Sequence, residues 1–177
     1  MRCMRKYIFL DRDGTLVKDT GYLAAVSQVE LLTEAAVALR QLAKQGWYFA
    51  IITNQSGIER GILTRSQVEK VNNHVVNMLA LQSVHIDAIY YCPHRPESQC
   101  TCRKPQPGLV ERAVSELQAD PRSSLMVGDR CSDAEAGVRA GIRGVVIGID
   151  RCQYPGVQRV ADWREFVQVT QRGERHA

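Results

Sequence analysis

Asp11 and Asp13 stand one residue apart in Asp11-Arg12-Asp13-Gly14-Thr15, directly after the apolar run 7–10. A carboxylate in such a place can attack phosphorus to form an aspartyl-phosphate, while a second protonates the leaving alkoxide and later activates water. Two anions facing an incoming phosphate repel one another, so the chemistry calls for a hard cation such as Mg²⁺. Taken alone, the same residues also describe a solvated acidic turn, and the rest of the chain has to decide between the two.

Three further groups follow in order. Thr53-Asn54-Gln55-Ser56-Gly57 ends an apolar run with small hydrogen-bonding groups that could hold phosphoryl oxygens, or could be a polar turn. Arg103-Lys104-Pro105 offers two cations before a helical pattern, in isolation a solvated face. Gly128-Asp129 repeats the strand-then-carboxylate pattern, with Asp133 four residues on; Asp129 suits a metal and Asp133 a supporting or N-cap role. Cys92, His94, Cys100 and Cys102 crowd one segment, 92–102, with the spacing of a closed tetrahedral Cys₃His zinc site. No spare ligand stands nearby, so the zinc is expected to be structural, fixing Arg103 and Lys104, which follow Cys102 directly. Cys3, Cys131 and Cys152 are left over and read as ordinary thiols.

These residues must be positioned by strands expected at 7–10, 48–53, 86–91, 124–127 and 144–149, with helical patterns between most of them. The alternation predicts an α/β fold, a central parallel sheet with helices on both faces. Helices are expected over 34–45, from a Thr64 capping box to about 81, over 107–117, over 134–140 with Asp133 as N-cap, and over 162–171. The tail from Gly173 is expected to fray. Only some 23 residues separate Leu10 from the first helix, too few for a large cap domain. With 177 residues, no internal repeat and no linker, the chain 1–177 reads as one domain. A formal charge of +4 suits an anionic small molecule but is too small to argue for nucleic acid or membrane. No apolar run reaches the length of a membrane span or a signal-peptide core, so a cytoplasmic protein is expected, and a monomer.

The ordered set D-x-D-G-T, strand-T-N, K-P and G-D-x-x-x-D resembles the haloacid dehalogenase (HAD) superfamily of phosphotransferases, with its Rossmann-like fold. That resemblance implies Asp11 as nucleophile, Asp13 as general acid/base, and Thr53 with Lys104 as phosphoryl binders. It also implies Mg²⁺ on Asp11, Asp129 and the Asp13 carbonyl. Within the superfamily the chain is similar to the D-glycero-D-manno-heptose-1,7-bisphosphate 7-phosphatases. The match is carried by Asp19-Thr20-Gly21-Tyr22, Thr53 to Gly57, Arg60-Gly61, Tyr90 to His94 and Cys100 to Pro105. The family implies substrate contacts from Asp19, Thr20, Gly21, Tyr22, Thr53, Asn54, Gln55, Ser56, Arg103, Lys104 and Arg130. It further implies removal of the C7 phosphate, leaving heptose 1-phosphate for nucleotide-activated heptose and lipopolysaccharide synthesis. The stretch between His94 and Cys100 is shorter than in many members and bears on anomer preference and the exact sugar. The alternatives are a histidinol-phosphate phosphatase with the same four motifs, and a non-catalytic zinc module that binds phosphosugars or partners.

Overall fold

The computed structural model describes residues 4–174. Its centre is a six-stranded sheet of order β3-β2-β1-β4-β5-β6 in which every neighbouring pair is parallel. The strands are β1 (Tyr7–Leu10), β2 (Tyr48–Asn54), β3 (Ala88–Cys92), β4 (Leu125–Gly128), β5 (Arg143–Ile147) and β6 (Val157–Val160). Five helices connect and close them: α1 (Thr33–Ala43), α2 (Arg65–Leu81), α3 (Gly108–Glu116), α4 (Cys131–Arg139) and α5 (Trp163–Glu174).

Because side chains alternate along a strand, β1 feeds two cores at once. Ile8 and Leu10 join Leu39, Leu42, Val71, Val75 and Phe166 from α1, α2 and α5. Tyr7 and Phe9 join Leu109, Val110, Ala113 and Ala136 from α3 and α4. A one-residue slip of β1 would exchange both sets, so its register is strongly specified. The Thr64 box is formed at the start of α2: the Gln67 N–H donates to Thr64 Oγ1 at 3.1 Å, and the Thr64 N–H to Gln67 Oε1 at 2.8 Å.

Segment 11–32, between β1 and α1, contains only the short 3₁₀ turn Val26–Gln28 and doubles back on itself. Gly14 N–H donates to the Val17 carbonyl and Lys18 N–H to the Glu30 carbonyl, at 2.8 and 2.9 Å. Among the described residues no helix is long and apolar enough to cross a membrane.

Three expectations need correction. β6 was not anticipated: Gln158 and Arg159 are exposed, so this edge strand has no apolar alternation to read, and its charge suits an edge. α4 begins at Cys131, with Arg130 rather than Asp133 at the N-cap; Asp133 lies inside the first turn and accepts the Arg130 N–H at 3.1 Å. Cys131 and Cys152 are not separate thiols but a disulfide, because the start of α4 and the segment after β5 bring their Cα atoms to 4.9 Å. Cys3 lies outside the described residues. α5 runs to Glu174, and the rest of the tail expected to fray from Gly173, residues 175–177, lies outside the described residues.

Candidate active site

The strand order reverses between β1 and β4, and in an open parallel sheet the ligand crevice lies at the carboxyl ends of the strands beside that reversal. Asp11 follows β1 there and Asp129 follows β4. The Asp11 N–H donates to the Val127 carbonyl at 3.0 Å, and the Asp129 N–H to Thr15 Oγ1 at 3.0 Å, which ties the two loops together. A larger cavity of about 840 Å³ opens at the opposite, amino ends of the strands, beside Arg5, Tyr48 and Gln118, and holds none of the expected site residues.

Lys104 is buried at the centre of the site. Its Nζ lies 2.5 Å from Asp11 Oδ1 and 2.7 Å from Asp133 Oδ1, and donates to the Ile52 carbonyl at 2.7 Å. Asn54 at the end of β2 holds the lysine backbone from both sides: its Nδ2 donates to the Lys104 carbonyl and its Oδ1 accepts the Lys104 N–H, each at 3.1 Å. The Lys104–Pro105 peptide is cis. Burial pulls the Lys104 ammonium down, but Asp11 and Asp133 outweigh it and its pKa ends above the usual value. Burial pushes Asp11 well above the carboxylate range; Lys104 opposes this, while Asp133 and Asp13 add to it. Asp129 is likewise raised, first by burial and then by Asp133. Oxygens of Asp11, Asp129 and Asp133 all lie within 4.8 Å of one another. One ammonium cannot neutralise three converging carboxylates, so this donor set fits a hard divalent cation, which would reverse the upward shifts.

Asp13, on the same crevice wall, has other partners. Arg12 grips it with two bonds, Nε to Oδ1 at 3.0 Å and Nη2 to Oδ2 at 2.8 Å. Gln55 Nε2 donates to Asp13 Oδ2 and to Thr53 Oγ1, both at 3.0 Å. Sequence reasoning missed Arg12 and its partner Asn72; of the two roles it gave Asp133, support and N-cap, the contact with Lys104 matches the first. Nothing local distinguishes a buried arginine from a solvated one; the only signal was its place between two carboxylates.

The crevice is a cavity of about 560 Å³ lined by Asp11, Asp13, Asp19, Gly21, Tyr22, Thr53 to Ser56, Arg103, Lys104 and Arg130, joined by Pro96, Ser132 and Asp133. Of the expected contacts only Thr20 is absent from its wall. Arg130 Nη2 meets Asp19 Oδ2 at 2.7 Å across the mouth, and Arg103 Nη1 donates to the His94 carbonyl at 3.2 Å.

That carbonyl belongs to the second metal-type cluster. Cys102 Sγ lies 3.2 Å from both His94 Nδ1 and Cys92 Sγ and 3.4 Å from Cys100 Sγ, with Cys92 to Cys100 at 3.6 Å. A tetrahedral ion with bonds of about 2.3 Å to sulfur and about 2.0 Å to nitrogen needs ligand edges of about 3.5–3.8 Å, a few tenths of an ångström longer than most of those observed. Burial pushes the Cys92 thiol up. Glu59 secures the loop by accepting from the Arg95 N–H and Ser98 Oγ, both at 2.5 Å.

A parallel sheet with an acid after β1, an acid after β4 and a buried lysine between them defines the class as a HAD-type hydrolase, and the HAD-hydrolase-like family model matches residues 101–161. The D-glycero-beta-D-manno-heptose-1,7-bisphosphate 7-phosphatase of Pasteurella multocida is 42% identical over 150 residues, covering 81% of this chain and 82% of the relative. Its namesake from Escherichia coli K12 is 38% identical over 164 residues, covering 88% and 86%. The chain belongs to this heptose-bisphosphate 7-phosphatase family. Among solved structures, a D,D-heptose 1,7-bisphosphate phosphatase from B. bronchiseptica, complexed with magnesium and phosphate, superposes with TM-score 0.84 at 26% identity, covering 97% of this chain and 99% of that one. A HAD-like phosphatase from Mesorhizobium loti superposes with TM-score 0.82 at 31% identity, covering 95% and 85%.

Proposed function

We propose that this protein is a Mg²⁺-dependent phosphatase that removes the C7 phosphate of D-glycero-D-manno-heptose 1,7-bisphosphate and releases the heptose 1-phosphate. The observation that carries the reading is the buried Asp11–Lys104–Asp133 cluster beside Asp129 at the sheet's switch point, in a chain 42% identical to a phosphatase of that name. The relatives' names favour the beta anomer and do not favour histidinol phosphate. A non-catalytic module has no need of two carboxylates paired with one buried lysine and a third beside them.

In this reading Asp11 Oδ1 is held by Lys104, which leaves Oδ2 to attack phosphorus. As that bond forms, the bond from phosphorus to the C7 oxygen breaks, and Asp13 supplies the proton to the departing alkoxide. Asp13 then takes a proton from the water that hydrolyses the aspartyl-phosphate. Thr53, Lys104 and the backbone at 54–56 hold the phosphoryl oxygens through both transfers. Asp11, Asp129 and the Asp13 carbonyl hold Mg²⁺, with Asp133 close enough to share it; the ion supplies charge neutralisation that lets an anion approach an anion. Asp19, Gly21, Tyr22, Arg103 and Arg130 grip the sugar and its far phosphate at the mouth, with Thr20 supporting that loop. Cys92, His94, Cys100 and Cys102 hold a structural Zn²⁺ that fixes the Arg103 guanidinium through the His94 carbonyl. The protein acts as a cytoplasmic monomer in the supply of nucleotide-activated heptose.

The test is phosphate release from heptose 1,7-bisphosphate and histidinol phosphate, each with Mg²⁺ and with EDTA. Higher kcat/KM on histidinol phosphate would replace the reading, and no turnover of any phosphomonoester would remove it.

A further inference from the structure

We propose that Arg12 and Asn72 are positioning residues that hold the Asp13 carboxylate in the orientation from which it protonates the leaving oxygen. The inference rests on the reading of Asp13 as general acid. Arg12 is 1% exposed, although it stands between two site carboxylates in a loop. A buried guanidinium is tolerated only when its donors are used. Here Nε and Nη2 form a two-pronged grip on Asp13, and Nη1 donates to Asn72 Oδ1 at 2.7 Å. Two parallel bonds fix the plane of a carboxylate as well as its position.

The far end of the relay is anchored in the core. Asn72 is 3% exposed on the 17-residue helix α2, one residue from Val71 and three from Val75, both of which pack against the sheet. An apolar residue at position 72 would pack as well and would leave Nη1 of Arg12 without an acceptor. On its other side Asp13 is held by Gln55, which also touches Thr53, so the acid and the phosphoryl site share one network. A guanidinium that served only to stabilise the fold would not need to take both oxygens of the residue that has to move a proton.

The experiment compares two esters by kcat/KM, which reports steps up to cleavage of the phosphorus–oxygen bond and is blind to the later hydrolysis of the aspartyl-phosphate. Heptose 1,7-bisphosphate loses an alkoxide that needs a proton; p-nitrophenyl phosphate loses a phenolate that does not. Asp13→Asn should lower the ratio of the two values by about 10²–10⁴-fold, the usual worth of general acid help. Arg12→Lys and Asn72→Ala should lower the same ratio by about ten- to a hundredfold, since misplacement by about 1 Å has that effect. Asn72→Ala stands on its own if Arg12→Lys does not fold. Selectivity in Asp13→Asn with equal losses on both esters in Asn72→Ala would overturn the relay while leaving the acid in place. Equal losses in Asp13→Asn itself would remove the general acid and the relay with it.

Discussion

Gly14 and the Asp129 carboxylate occupy a space that admits no side chain on the glycine. A Cβ at position 14 would stand 2.7 Å from Asp129 Cγ and closer still to its Oδ2. Gly14 also has a φ of 84°, a region that other residues enter at a cost of about 1–2 kcal/mol. The turn after β1 can therefore press against the loop after β4 only because position 14 is bare.

Gly14→Ala should consequently damage the site more than the fold. The expected outcome is a loss of about 1–3 kcal/mol in unfolding free energy with a fall in kcat/KM of about a hundredfold or more, because a displaced Asp129 cannot help hold the metal. Denaturant unfolding and steady-state kinetics check it together; a variant with normal turnover would mean that Asp129 tolerates the shift.

Asp11→Asn should abolish turnover, and wild-type protein should require Mg²⁺ while binding Ca²⁺ unproductively. Asp11 must serve the ion and reach phosphorus in the same geometry, and Ca²⁺ with bonds of about 2.3–2.6 Å holds it differently from Mg²⁺ at about 2.0–2.1 Å. Phosphate release in metal-exchanged protein is the measurement, with Ca²⁺ expected to inhibit in competition with Mg²⁺.

Cys100→Ser should release zinc and loosen the 92–102 loop without unfolding the sheet: the core built on Ile8 and Leu10 does not include that loop, and in the second core Cys92 packs inside while Cys100 and Cys102 lie at the edge. Arg103 would lose its fixed partner at the His94 carbonyl, and kcat/KM should fall about tenfold or more. Metal content per chain, read beside kinetics for wild type and variant, decides the matter. Wild-type protein prepared without chelators and carrying far less than one zinc would remove the premise.

Reduction should destabilise the protein through Cys131 and Cys152. Their bond spans 21 residues of chain, and closing a loop of that size in the unfolded state corresponds to about 3 kcal/mol on the chain-entropy account. Unfolding with and without dithiothreitol, with Cys152→Ala as control, gives the value; equal stability in both conditions would mean that the pair stands as thiols, as a reducing cytosol favours.

Asp11, Thr53 and Asp129 were legible from sequence because each ends or follows a strand, and a short apolar run stopped by a polar residue is a local pattern; Lys104 was legible only as part of a basic pair before a helical pattern. The Thr64 cap and the sides of the helices that face the core were legible for the same reason, since periodicity is carried by near neighbours. The Cys/His spacing announced a metal-type cluster in the same local way. Tertiary structure alone decided what those groups touch. Arg12 reaches Asn72 across 60 residues because α2 packs against β1, and Asp129 leans on Thr15 across 114 because β4 lies beside β1. Nothing in either segment encodes that neighbour, because strand order follows from the packing of the whole sheet. The same holds for Asp133, a plausible helix cap by position that the fold turns onto Lys104, and for Cys131 and Cys152, which meet only once α4 and the segment after β5 have docked. Local chemistry proposed the reacting groups; long-range packing gave them their charge partners.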